Sequence, residues 1–341
     1  MSVLRKILYG FSVLLSTLLL LACLVPYFEF ASLSFLSLTV PLLVLVNLAL
    51  LFFWLILNKR NAWLPILALV VGYFSLGSFV QFRSLSRNES DLKADFSIMT
   101  FNSRGFNGYG GLRRPESKQG IIDFITKESP DIICFQEFDA YRRKSEELND
   151  YSSKYVYGPT KKNMDKVLQA IYSKYPIVDK GVVVFPNSSN QAIYADIKIN
   201  NDTIRAYNVH LESLKIRPKM FGVESSERLF KRLKTSFSKQ YQQAIIVSEH
   251  ASSSPYPVLI CGDFNNTQFS SVYRSIKGDR VDTFMEKGFG YGKTIKFWHF
   301  PLRIDFILAD SFFEIKTHKN FDVWLSDHKP IMATLKIESD K

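Results

Sequence analysis

The chain has 341 residues, of which 47% are hydrophobic and 14% aromatic, with 43 Lys and Arg against 32 Asp and Glu. That composition excludes a disordered or collagen-like polymer, and the length accommodates one large domain or two ordinary ones. The formal charge of +11 suits an anionic substrate or an anionic membrane surface and does not choose between them.

Three long apolar runs come first, at residues 7–25, 35–57 and 63–80, and none contains a charge. Each approaches the roughly 20 residues that a helix needs to cross a bilayer. The expectation is three transmembrane helices forming an anchor over residues 1–82. Pro41 and Asn47 in the second run also fit a kinked or partly interfacial helix, and Leu20-Leu21-Ala22-Cys23 fits a loose lipoprotein box as well as an ordinary helix. Arg5 and Lys6 precede the first run and Lys59 and Arg60 fill the second loop, whereas the first loop, near Glu29, has no basic residue. By the positive-inside rule, three spans place everything after Val80 outside. For a bacterial chain this means a multi-pass inner-membrane protein with a periplasmic, extracytoplasmic domain. The same five charged residues leave a net of +3 in the anchor and +8 beyond it.

Residues 83–94, RSLSRNESDLKA, read as a polar linker, and residues 95–341 as a single soluble domain without internal repeats. There a short apolar run repeatedly stops at polar residues: FSIMTFNSRGFN, DIICFQEFD, IRAYNVHLES, VLICGDFNNT, RIDFILAD and WLSDHKP. Helical patterns at 119–129 and 225–250 lie between some of them, so strands alternating with helices predict an α/β or α+β sandwich. Cys134 and Cys261 fall in strand-like runs and lack metal-ligand spacing; buried thiols are the ordinary reading, and a disulfide between them has nothing to support it.

Loops at the ends of buried strands carry function because a rigid scaffold positions them. Here those ends collect Asn102, Glu137, His210, Asp263, Asn265, Asp305, Asp327 and His328, including two of only five histidines. Carboxylate and amide oxygens suit a hard cation such as Mg2+ or Mn2+. Histidines beside them can stabilise or protonate phosphate oxygens, and an Asp paired with a His fixes its tautomer. The mixture describes metal-assisted phosphoester hydrolysis. His250, His299 and His318 lack such surroundings and read as structural.

The ordered motifs TFNSRGFN, ICFQE, NVHLES, CGDFNN, IDFIL and SDHKP resemble the endonuclease/exonuclease/phosphatase superfamily, which includes DNase I-like nucleases, inositol polyphosphate 5-phosphatases and neutral sphingomyelinases. The resemblance covers about residues 95–338. It implies a four-layer sandwich of two packed mixed β-sheets flanked by helices. It further implies Glu137 as principal metal ligand with Asn102 and Asp327, the cation being Mg2+ or Mn2+. Asp263 would activate water with help from Asn265, Asp305 would brace His328, and His328 and His210 would contact phosphate. Asn102 and, by position, Arg104 would touch the substrate.

The expected activity is a membrane-anchored, metal-dependent phosphoesterase acting on a diester or monoester. Its substrate would be a phospholipid or sphingolipid headgroup, an inositol phosphate or nucleic acid. An extracytoplasmic nuclease, or a catalytically silent binding protein of the same fold, is the alternative. The basic stretch 224–239 reads as an amphipathic helix with a solvated face, or as a contact for anionic lipid or substrate.

Overall fold

A computed structural model describes residues 3–29, 31–82, 93–107, 117–138, 148–158, 167–215, 225–297 and 300–338. Most of the linker, Glu224 and His299 lie outside the described residues. The chain divides into two compact units. One comprises Met1–Phe79, Leu214–Tyr241 and Asn266–Ser275; the other comprises Val80–Ser213, Gln242–Asn265 and Ile276–Lys341.

In the first unit, the apolar runs form α1 (Val3–Ala22), α2 (Leu36–Leu57) and α3 (Trp63–Leu76). α1 and α2 have the length and apolar composition to cross a membrane. α3 corrects the expectation of a third span: its 14 residues rise only about 21 Å, short of a hydrocarbon core of about 30 Å. Gly77, with φ of 79°, ends it where the sequence is still apolar. The count becomes two helices of spanning length, and the extracytoplasmic placement, which needs an odd number, loses its footing.

α2 is continuous through Pro41. Asn47, fully buried, binds α1 to α2: its Oδ1 accepts from Ser16 Oγ at 2.7 Å and its Nδ2 donates to the Leu43 and Leu15 carbonyls. Such side chains hold apolar helices together when hydrophobic burial alone does not. Leu19, Leu36, Val40, Leu43 and Ala68 form this unit's core with Phe269.

The second unit is built on β1 (Phe96–Asn102), α4 (Ser117–Glu128), β2 (Ile132–Gln136), β3 (Ser153–Tyr157), β4 (Gln169–Ser173), β5 (Ile177–Val184), β6 (Gln191–Ile199) and β7 (Asp202–His210). Then follow the long helix α5 (Ser226–Ser252), which belongs to the first unit through Tyr241, β8 (Val258–Asp263), α6 (Ser271–Lys277), which belongs to the first unit through Ser275, and, again in the second unit, β9 (Val281–Asp282), α7 (Thr283–Lys287), β10 (Ile295–Phe297), β11 (Phe300–Leu302), β12 (Asp305–Ala309), β13 (Phe313–Asn320) and β14 (Ile331–Ile337). Two six-stranded mixed sheets result, ordered β13-β14-β1-β2-β4-β3 and β5-β6-β7-β8-β12-β9, with β10 and β11 as a separate pair.

Alternation along the strands explains the packing. Ile98, Ile132, Cys134 and Ile171 of one sheet meet Ile193, Ala206, Leu259, Cys261 and Ile307 of the other in a fully buried core. The intervening residues Met99, Phe101, Ile133 and Phe135 point the opposite way and pack under Ile121 and Ile125 of α4. Each such side chain contributes roughly 2 kcal/mol on burial. All three cysteines are free, so Cys134 and Cys261 are core thiols.

The topology sorts the strand ends. β1 and β2 run parallel, as do β7 and β8, while β12 is antiparallel to β8 and β14 to β1. The C-terminal ends of β1, β2, β7 and β8 therefore share an edge with the beginnings of β12 and β14. Register is direct: His210 is opposite Asp263, and Asp263 opposite Asp305.

Candidate active site

All nine residues expected at the site belong to the second unit. Asn102 closes β1, buried, and its Nδ2 donates to Asp263 Oδ2 at 3.0 Å and to Glu137 Oε1 at 3.4 Å. Its Oδ1 accepts from the Arg104 backbone N–H at 3.1 Å, turning the chain away from the strand. Glu137 follows β2 with φ of 49°, Arg104 has φ of 48° and Asn265 has φ of 50°. Three site residues thus occupy the left-handed region that side chains other than Asn and Asp rarely adopt. Ser103 steadies two of these turns: its N–H donates to the Gln136 carbonyl and its hydroxyl to the Glu137 carbonyl.

Asp263 lies at the centre. Its Oδ1 accepts the Asn265 N–H at 2.7 Å, and its Oδ2 lies 3.7 Å from both His210 Nε2 and His328 Nε2. Burial pushes its carboxyl up to about 6, with His328 opposing the rise and Asp305 adding to it. Asn265 is fixed by its Nδ2 donating to the Leu211 carbonyl at 3.0 Å.

His328 Nδ1 sits 3.0 Å from Asp305 Oδ2. Burial alone would push this imidazole down, but Asp305 and Asp263 together hold it well above the usual histidine range. Its Nδ1–H therefore donates to Asp305, and its Nε2 is directed toward Asp263. His210 contrasts with it: burial lowers it, the Asp263 charge working against that. Its Nε2 lies 3.9 Å from Glu137 Oε1, and its buried Nδ1 has no partner among the described residues.

Asp327 and Glu137 are the more open carboxylates, their side chains 38% and 30% exposed. Arg104 does not point free: its Nη1 lies 3.2 Å from Asp327 Oδ2. Ser326 Oγ donates to Asp327 Oδ1 and accepts the His328 N–H, shaping the Ser-Asp-His turn.

Two oxygen-bearing groups can be weighed as a cation site. Among the described residues, ligand atoms of Asp263, Asp305 and His328 all lie within 4.8 Å of one another. This trio differs from the expected Asn102, Glu137 and Asp327, and a charged imidazole between its two buried carboxylates offsets half of their charge and repels a cation. Glu137 is raised first by burial and also by the Asp327 charge, with His328, Asn102 and Arg104 opposing. Two mutually repelling, partly open carboxylates beside an amide fit a hard divalent cation better.

Several supporting residues escaped the sequence reading. Thr294, fully buried, accepts the Ile304 and Asp305 N–H groups on its Oγ1, and its carbonyl accepts the Lys329 N–H. Below the site Gln136 Nε2 donates to Asn208 Oδ1 at 2.7 Å and to Thr100 Oγ1 at 2.9 Å, while Asn208 Nδ2 donates to the Phe135 and Ala170 carbonyls. This network joins β7 to β1, β2 and β4 across the interior. Asn208 was visible in NVHLES, but only the folded register shows that it points inward.

Structural comparison finds the same fold in several proteins. An endonuclease/exonuclease/phosphatase from Bacteroides vulgatus superposes with a TM-score of 0.55 at 19% identity, covering 71% of this chain and 99% of that one. Zebrafish (D. rerio) TDP2, complexed with a single-strand DNA product, gives 0.53 at 15% identity, with 71% and 98% coverage. The human nocturnin catalytic domain with a bound sulfate anion gives 0.53 at 16% identity, with 71% and 94% coverage. No curated protein matches the chain in sequence. A domain family of unknown function, DUF8431, matches residues 5–79. The model of the Endonuclease/Exonuclease/phosphatase family matches residues 99–328, well over half of the chain, from within β1 to His328. The chain is a member of the endonuclease/exonuclease/phosphatase family, whose enzymes hydrolyse phosphoester bonds.

Proposed function

We propose that the protein is a divalent-metal-dependent phosphoesterase, held at a membrane by α1 and α2, that hydrolyses a phosphoester in a lipid headgroup. The observation that carries the chemistry is the His328–Asp305 bond at 3.0 Å beside Asp263. It is an oriented, positively charged imidazole next to a buried carboxylate raised to about 6. The membrane seat rests on two helices of spanning length.

Glu137, Asp327 and Asn102 would hold Mg2+ or Mn2+. That ion would neutralise phosphate charge and act as a Lewis acid. Asp263, with a carboxyl close to neutral pH and steadied by Asn102 and the Asn265 N–H, accepts a proton from the attacking water. Asn265 holds that water in line with phosphorus. His328, kept charged by Asp305, donates a hydrogen bond from Nε2 to a phosphoryl oxygen as negative charge develops. His210, with its ring lowered by burial, offers Nε2 to the same phosphate. Arg104, paired with Asp327, flanks the open side where the rest of the substrate enters. The tether supports a headgroup substrate, because an enzyme held at a membrane meets the phosphoesters of the bilayer.

The full chain in detergent, with Asp263→Ala and His328→Ala alongside, is assayed against phospholipids, sphingomyelin, inositol phosphates, RNA and DNA. Lipid turnover that EDTA abolishes and both variants lose supports the reading. Turnover of nucleic acid alone replaces it with a nuclease, and activity that survives both substitutions removes the assigned mechanism.

A further inference from the structure

The first turns of α5, through Tyr241, belong to the same compact unit as α1–α3. Asn266 joins them. Its side chain, fully buried, accepts from Ser37 Oγ at 3.1 Å and donates to Gln240 Oε1 of α5 at 2.9 Å. The Ser37 carbonyl is left open because Pro41, four residues on, has no N–H, and Thr267 Oγ1 donates to it at 2.9 Å.

Ser37 lies in the first turn of α2, whose 22 residues rise about 33 Å and match a bilayer core of about 30 Å. That turn lies at a membrane surface when α2 spans. Two hydrogen bonds carry the same level from Ser37 through Asn266 to Gln240. Arg274, its guanidinium 4.3 Å above the Tyr27 ring, marks this level with the aromatic and basic pairing of a membrane interface.

From Gln240 backward, α5 presents one exposed face. Arg228, Lys231 and Lys234 recur every three residues along it, with Phe230 48% exposed at its edge and Glu227 the one acid. The opposite face buries Ser236, Phe237 and Gln240. Among the described residues none of the three cations forms an ion pair. Lys234 and Lys231 lie about 9 and 14 Å along the helix from Gln240, comparable to a Debye length of ~8 Å extended by a lysine side chain.

We propose that this face of α5 binds the anionic headgroups of the bilayer that holds α1 and α2. The inference rests on the membrane seat proposed above. It gives the basic charge of this helix a partner and does not depend on which phosphoester is cleaved.

The test places the full chain in nanodiscs of phosphatidylcholine, with or without phosphatidylglycerol, and follows lysine acylation by mass spectrometry. Lys154, exposed and remote in sequence, serves as the internal reference. A basic residue near an anionic surface gains about 1 kcal/mol, so labelling of Lys231 and Lys234 is expected to slow about fivefold on anionic discs. Lys154 is expected to be unchanged. About 0.5 M salt restores the rate by screening, and Arg228→Glu restores it in part. Equal Lys231 to Lys154 ratios on the two lipids overturn the proposal. A chain that elutes apart from the discs removes the membrane seat, and the proposal with it.

Discussion

Asp305 never reaches the open part of the site, yet its position determines what His328 is. Asp305→Asn keeps the size and one hydrogen-bonding oxygen while removing the charge that, with Asp263, holds the imidazole above its ordinary range. The expected outcome is a fall in kcat of about 10²-fold or more with little change in KM, since general acid–base and charge-stabilising contributions are of that order. Steady-state kinetics of the full chain check it; an unchanged kcat would mean that His328 acts without its brace. The left-handed φ of Arg104, Glu137 and Asn265 is the backbone counterpart of this arrangement. Each costs of order 1 kcal/mol and persists because the surrounding hydrogen bonds over-determine the turn. These residues were legible because polar side chains ending apolar runs stand out in a sequence. Their turn conformations, and the Arg104–Asp327 pairing, were not, because both depend on neighbours distant in the chain.

At the scale of single elements, β8 shows how the scaffold presents the site. Gly262 has φ of 142°, and a Cβ there would lie 1.9 Å from the Val209 carbonyl oxygen on the parallel partner strand. Gly262→Ala is expected to destabilise the domain by at least ~2 kcal/mol, because β7 and β8 must separate where they carry His210 and Asp263. Gly278→Ala, also left-handed at 49° but with nothing within 4 Å, is expected to cost only ~1 kcal/mol. Thermal unfolding of the two variants separates a steric cause from a conformational one. The buried Arg303–Asp282 pair, in which Nη1 donates to both carboxylate oxygens at 2.7 and 3.0 Å and the guanidinium is stacked between Phe284 and Phe306, holds β9, α7 and β12 together. Asp282→Ala is expected to cost about 3–5 kcal/mol in denaturant unfolding, since it strands a buried guanidinium and also removes the cap of α7. The strand and helix pattern was readable from periodicity. The third apolar run yields a helix too short to span because composition reports hydrophobicity, whereas the length of a helix depends on where a residue such as Gly77 ends it.

For the molecule as a whole, a sandwich is legible because strand-like runs alternate with helical patterns, whereas its two packed sheets are implied only by the resemblance of the ordered motifs. The buried polar contacts that tie its parts together were hidden, since Asn208, Thr294 and His318 carry no local signal. His318 reads as structural in the sequence, and its surroundings have a measurable consequence. Although the residue is half-buried overall, its ring is enclosed: Nδ1 lies 2.8 Å from Thr283 Oγ1, and Nε2 is shut off from solvent. Burial pushes the ring down to about 4 from its ordinary 6.5, with Asp282 opposing and Arg303 reinforcing the shift. The unfolded chain takes up a proton near 6.5 that the folded chain refuses until about 4. Stability is therefore complete above the unfolded value and falls across that interval as pH drops, by about 1.4 kcal/mol per pH unit, then levels off. Other acid-sensitive groups are common to wild type and His318→Asn, so their difference in unfolding free energy isolates this one. That difference is expected to be constant above pH 6.5 and to shift by about 3 kcal/mol in favour of the variant by pH 4. A difference that stays flat across the interval would mean that His318 is protonated in the folded protein as readily as in the unfolded one.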